Sequence, residues 1–68
     1  MQKFNVFFDS ADQTVSVFKA GKSDRIVSIE NVRTPNQAKA ALKRRGFNLD
    51  LDTEDTYPYG TKWDATSR

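Results

Sequence analysis

One segment of the 68-residue chain carries helix signals, and it lies between segments that alternate as β strands do. Thr34-Pro35-Asn36-Gln37 is a capping box, in which the Thr34 side chain accepts from the backbone N–H of Gln37 and Gln37 reaches back to Thr34. Pro35 falls at the first helical position, where its missing N–H costs nothing. Gly46 then ends the helix in a left-handed conformation. One short helix covers only one face of a sheet, so the other face needs a separate explanation.

The remaining elements are predicted from apolar and polar alternation with a period of two. Three such segments precede the helix, separated by polar turns, and one follows it: 3–9, 14–20, 25–32 and 47–52. We therefore predict an α+β fold in the order β-β-β-α-β, a three-stranded antiparallel meander followed by one capped α-helix and a short fourth strand. Residues 1–52 form this single small α+β domain.

The composition changes after residue 52 to aspartate, threonine, tyrosine, proline, glycine and serine, with no period. Such a segment lacks the regular apolar spacing that a packed element needs. We predict an irregular or partly disordered acidic and aromatic tail over 53–68.

Alternation divides the apolar side chains into two sets. The larger set forms the predicted core with Ala38 and Ala41: Phe4, Val6, Phe8, Val15, Val17, Val27, Ile29, Leu42, Phe47, Leu49 and Leu51. Phe7, Phe18 and Ile26 fall on the opposite sheet face. Either the tail covers that face with Tyr57, Tyr59 or Trp63, or a second copy does so in a homodimer, or a partner does. An exposed aromatic cluster among polar and basic residues is typical of an interaction surface.

The formal net charge of +2 hides an asymmetry along the chain. Eight basic and two acidic residues lie between Lys19 and Gly46, a net +6, whereas five acidic residues and one basic residue lie between Phe47 and Asp64, a net −4. On the predicted helix, Lys39, Lys43 and either Arg44 or Arg45 form a basic stripe at helical spacing. Arg33, just before the cap, reinforces it. Such a stripe can neutralise phosphates, or it can attract an acidic protein surface.

Several function classes are excluded by residue type. The chain contains neither cysteine nor histidine, which removes thiolate zinc sites, cysteine nucleophiles and histidine bases. Residues 50–54 begin like a calcium loop, but Asp55 stands where a glycine is needed and Thr61 where a glutamate is needed. We expect no enzymatic activity, metal, cofactor or small-molecule substrate. No apolar run approaches the roughly 18 residues of a membrane span, so we expect a cytoplasmic protein without a membrane partner.

Two resemblances bear on function. Three strands followed by a helix with Thr34, Ala38 and Leu42 at four-residue spacing resemble, in outline, the small arm-binding domains at the start of tyrosine recombinases. That likeness covers Phe4 to Arg45. A compact α+β chain with one helix, a charged surface and no active site is also similar to small phage-encoded inhibitors of host enzymes.

We predict a non-enzymatic module that binds a macromolecule. The leading hypothesis is nucleic-acid binding through the basic helix, with Phe7 and Phe18 as stacking residues on the sheet. The alternative is a protein-binding regulator or inhibitor that docks by Phe7, Phe18 and Ile26, or by adding a strand to the sheet edge. A structural subunit that self-associates is a third hypothesis.

Overall fold

The computed structural model describes residues 2–67, which form one antiparallel sheet with a helix on one face. Along the chain the elements are β1 (Lys3–Asp9), β2 (Thr14–Lys19), β3 (Arg25–Ile29), α1 (Pro35–Arg44), β4 (Phe47–Tyr57) and β5 (Gly60–Ser67). The strand order in the sheet is β3-β2-β1-β5-β4. Met1 and Arg68, which the predicted domain and tail include, lie outside the described residues.

The predicted order β-β-β-α-β is wrong, because a fifth strand follows β4. The segment after residue 52, predicted to be irregular, instead continues β4 to Tyr57 and then forms β5. Between them, Pro58 and Gly60 occupy the second and fourth positions of a turn, where β-turns favour these residues. The final strand pairs with β1 on one side and β4 on the other. The predicted tail therefore supplies the end of β4 and an interior strand of the sheet, β5.

The apolar core lies between α1 and one sheet face, here called the helix face. Its buried members come from every element except β3: Phe4, Val6, Phe8, Val15, Val17, Val32, Ala38, Leu42, Phe47, Trp63 and Ala65. Trp63 is 0% exposed and lies opposite Val6 in the β1–β5 ladder. Val27, Ile29 and Leu49 pack at the margin of this core and are only partly buried.

The helix lies where the capping signals predict it. The Gln37 backbone N–H donates to Thr34 Oγ1 at 3.2 Å, and Pro35 opens the helix. The Gln37 side chain does not reach Thr34, however; its Oε1 accepts from the backbone N–H of Arg33 at 2.8 Å. Gly46 takes a positive φ of 90° just beyond the last turn. Within residues 2–67, α1 is neither long nor apolar enough to cross a membrane.

β4 leaves the regular ladder in its middle, and this places Leu51 outside the predicted core. Asp50 lies opposite Asp64 and Asp55 lies opposite Lys62, so residues 51–54 stand against Trp63 alone. Extra residues on one strand form a bulge, which bends the strand and redirects its side chains. The prediction that Leu51 is buried is therefore wrong, and its side chain is 58% exposed.

The same bulge brings Glu54 over the helix face. Its Oε1 accepts from the Trp63 indole N–H at 2.8 Å and lies 3.3 Å from the Lys39 ammonium. An indole N–H that is buried without an acceptor carries a desolvation penalty, and the Glu54 carboxylate removes that penalty by accepting from it. The same carboxylate links β4 to α1. The Trp63 hydrogen bond, followed by the Lys39 ammonium, holds the pKa of the Glu54 carboxyl below its ordinary value of 4.5.

This lowered pKa predicts a pH dependence of stability. A carboxyl with a lower pKa in the folded state contributes stability above its unfolded pKa and loses it as pH falls through the folded pKa. Glu54→Gln keeps an oxygen acceptor but cannot titrate. We expect the free energy of unfolding, measured by urea titration with Trp63 fluorescence, to fall less steeply in acid for this variant than for the native chain. Asp24→Asn, an exposed carboxylate before β3, is the matched control, and parallel acid profiles for all three proteins would contradict the assignment.

Candidate functional site

The sheet face opposite the helix, here called the open face, carries a diagonal row of four aromatic rings. Phe18 lies on β2 opposite Asn5, and Phe7 lies on β1 between Ser16 and Lys62. Tyr57 ends β4 opposite Gly60, and Tyr59 follows in the turn. From β2 to β4 the row crosses three strand spacings, about 14 Å. Phe7, Phe18 and Tyr57 are half-buried, whereas Tyr59 is 55% exposed.

Three of these rings form one contact cluster. The Tyr57 and Tyr59 rings stack with their centroids 5.3 Å apart and their planes 10° apart. The Tyr59 ring also meets Phe7 at 6.0 Å with a 48° tilt. The Tyr57 hydroxyl donates to Asp55 Oδ2 at 2.7 Å. That hydrogen bond and the charge of Asp55 raise the pKa of the Tyr57 phenol above its ordinary value.

Gly60 provides the space in which this cluster forms. A Cβ atom at this position would lie 3.0 Å from Phe7 Cζ and would collide with the carbonyl oxygen of Phe8. Because Gly60 has no side chain, the Phe7 ring can lie over β5 and approach the tyrosines on its far side. Glycine in a strand often marks such a close approach.

Gly60→Ala tests this role. The new methyl must displace the Phe8 backbone or move β5 away from β1, so we expect a loss of about 1–3 kcal/mol in the free energy of unfolding. We also expect the nuclear Overhauser effects between the Phe7 and Tyr59 rings to weaken in NMR spectra. Unchanged stability together with an unchanged ring–ring signal would show that Gly60 does not set the position of Phe7.

A groove of about 450 Å³ runs between Phe18 and the aromatic cluster. Lys22 and Lys62 contribute cations to its walls, and no carboxylate of residues 2–67 lines it. Asp55 lies opposite Lys62 in the ladder, but the Asp55 carboxylate accepts a hydrogen bond from the Tyr57 hydroxyl. It forms no ion pair with Lys62. The groove therefore combines apolar ring faces with positive charge.

The groove has carboxylates on both of its sides. The hollow that borders its two phenylalanines on one side is lined by Asp9, Asp12 and Glu30. The other end of the open face is acidic too. Asp50 and Asp64 lie directly opposite each other on β4 and β5, beside Asn5 and Asn48. Across the described part of the chain, no three histidine, cysteine, aspartate or glutamate side chains group in a way that could hold a metal ion. The acidic end sets a boundary for an anionic ligand, since two neighbouring carboxylates repel it.

The structure separates the predicted site residues into two surfaces. Phe7 and Phe18 both line the groove on the open face. The basic residues lie on α1 or at its ends, on the opposite side of the sheet: Arg33, Lys39, Lys43, Arg44 and Arg45. This follows from the burial of Ala38 and Leu42, which packs α1 onto the helix face. The rings and the basic helix therefore do not share one surface.

Ile26 also lies apart from the two phenylalanines. Val17 lies opposite Val27 and Phe18 lies opposite Arg25, so Ile26 is the unpaired residue of a bulge in β3. It is 43% exposed at the sheet edge and does not line the groove.

Four groove residues were absent from the predicted site: Lys22, Tyr57, Tyr59 and Lys62. From the sequence, the tyrosines are assigned only a covering role on the second face. A signal for their position is present in the sequence, because a Tyr-Pro-Tyr-Gly turn is followed by polar and apolar alternation from Lys62 to Thr66. That alternation directs Trp63 to one face and Lys62 to the other.

Comparisons with known proteins add no family to this description. No protein-family model matches the chain, and neither a curated protein nor a solved structure matches it. The functional argument therefore depends on the geometry and charge of the open face.

Proposed function

We propose that this protein is a non-enzymatic module that binds single-stranded nucleic acid in the groove of the open face. The observation that carries the proposal is the diagonal aromatic row beside two lysines, in a groove that no carboxylate of residues 2–67 lines. Exposed aromatic rings stack on bases without sequence preference, and lysines neutralise the phosphates between them. Sheet aromatics that stack two or three bases are a recurring way to hold a single strand.

The dimensions and charge of the face favour a short binding site. A row of about 14 Å accommodates two or three stacked bases rather than a long track. The carboxylates of Asp50 and Asp64 repel phosphates at the other end of the face. The strand is therefore expected to cross the sheet from β2 to β4 along the rings, with phosphates near Lys22 and Lys62.

This proposal assigns the phosphate contacts to Lys22 and Lys62 instead of the basic helix. Lys43, Arg44 and Arg45 are exposed on the far side of the sheet and cannot contact a strand that lies on the rings. Their charge contributes only long-range attraction, which salt screens. The proposed location is the cytoplasm.

Salt dependence provides the direct test. For single strands, the logarithm of the affinity falls with the logarithm of salt concentration by about 0.7 per phosphate contact, so two lysines predict a slope of about −1.4. Affinity for a fluorescent oligothymidylate, measured by anisotropy, should then fall about sevenfold between roughly 50 and 200 mM salt. Lys62→Gln should reduce the slope by about half.

Phe18→Ala should weaken binding about tenfold at every salt concentration, because a stacking contact is lost.

Two controls separate the groove from the helix. Ile26→Ala removes an exposed apolar side chain outside the groove and should leave the affinity unchanged. A variant with Lys43→Gln, Arg44→Gln and Arg45→Gln should keep the slope, whereas a large loss of slope would assign binding to the helix. Absence of binding at low salt would reject the nucleic-acid proposal and leave two candidates for this face, the protein-binding regulator or inhibitor and the self-associating subunit.

A further inference from the structure

A second groove lies on the other side of the molecule, between α1 and β4. It has a volume of about 240 Å³, and we call it the helix–strand groove. Its apolar wall is a row from Phe47 through Leu49 to Leu51, which passes from 9% to 58% exposed. A leucine with more than half of its surface in water at the end of such a row offers an apolar anchor point.

Hydrogen bonds fix the segment that presents Leu51. Asp50 Oδ1 accepts from the backbone N–H of Asp52 at 3.1 Å, and the Thr53 hydroxyl donates to the Asp50 carbonyl at 2.6 Å. The same hydroxyl oxygen accepts from the backbone N–H of Asp64 at 2.8 Å, which attaches the bulge to β5. Leu51 is thus exposed because a hydrogen-bonded bulge holds it there, and not because the strand end is frayed.

The opposite wall of this groove is cationic. Lys39 and Lys43 are four residues apart on α1 and therefore share a helix side. Lys39 is paired with Glu54, whereas Lys43 makes no ion pair within residues 2–67. No carboxylate of that range lines the groove. The groove therefore complements a ligand that carries both an apolar side chain and negative charge.

We propose that the helix–strand groove binds an acidic peptide segment that carries one large apolar side chain. The apolar side chain packs on Leu49 and Leu51, and a neighbouring carboxylate pairs with Lys43. The volume is below the range of about 300–1,000 Å³ that small-molecule sites occupy, which suits a single anchoring side chain. The wall offers leucines rather than exposed aromatic faces, so a peptide fits better than stacked bases. This inference does not rest on the proposed function of the open face.

The test uses a synthetic peptide in which three aspartates flank one phenylalanine on each side. Titration into the isotope-labelled full chain, followed by NMR, should shift amide signals around Leu49, Leu51 and Lys43. Leu51→Ser should weaken this binding at least fivefold without loss of fold, because the side chain is already exposed. Lys43→Gln should weaken it about threefold and reduce its salt dependence.

Matched controls make the result specific. Ile26→Ser removes another exposed aliphatic side chain at the opposite sheet edge, and Lys22→Gln removes a cation from the other groove; both should leave peptide binding unchanged. A peptide with alanine in place of phenylalanine should bind at least fivefold more weakly. No detectable peptide binding, shifts confined to the open face, or insensitivity to Leu51→Ser would each overturn the proposal. Oligothymidylate that shifts the helix–strand groove more than the peptide does would overturn it in favour of nucleic acid.

Discussion

The pairing of β5 with β1 is the interaction on which the rest of this structure depends. It joins the last strand to the first along seven residue pairs, from Lys3 with Thr66 to Asp9 with Gly60. Through it β4 becomes part of the same sheet as the meander, since in the described part of the chain β4 pairs with β5 alone. It also places Trp63 beneath α1, and Trp63 is the largest fully buried side chain among the described residues. A domain this small depends strongly on each large side chain that it buries. Glu54 completes this placement of Trp63 by accepting the indole N–H.

The same strand gives the two sheet faces their different chemistry. Trp63 and Ala65 face the helix, whereas Lys62 and Asp64 face the opposite side. Gly60 begins the strand without a side chain, which lets Phe7 approach Tyr57 and Tyr59 across it. The insertion of β5 between β1 and β4 therefore completes the core, positions the aromatic row and places Lys62 beside that row. The basic helix belongs to the other face, where its cations border the Leu51 bulge.

Local signals in the sequence predict the parts of this fold that are determined locally. The cap at Thr34, the stop at Gly46 and the first three strands depend on near neighbours, and they lie close to their predicted positions. The same alternation predicts that Phe7 and Phe18 lie on the sheet face opposite the core. β5 was missed because its composition is polar, and its partner β1 is more than fifty residues away in sequence. The β4 bulge was missed because strict alternation buries Leu51, and only tertiary bonds to β5 redirect it.

Amide hydrogen exchange measured by NMR on the full chain tests the central position of β5 most directly. In a sheet ordered β3-β2-β1-β5-β4, the amides of Lys62 and Trp63 lie on a strand that is paired on both sides. Their exchange should then require global unfolding and be as slow as that of Val6 in β1. Exchange of these amides at the rate of an unstructured chain, with Val6 still protected, would contradict the account.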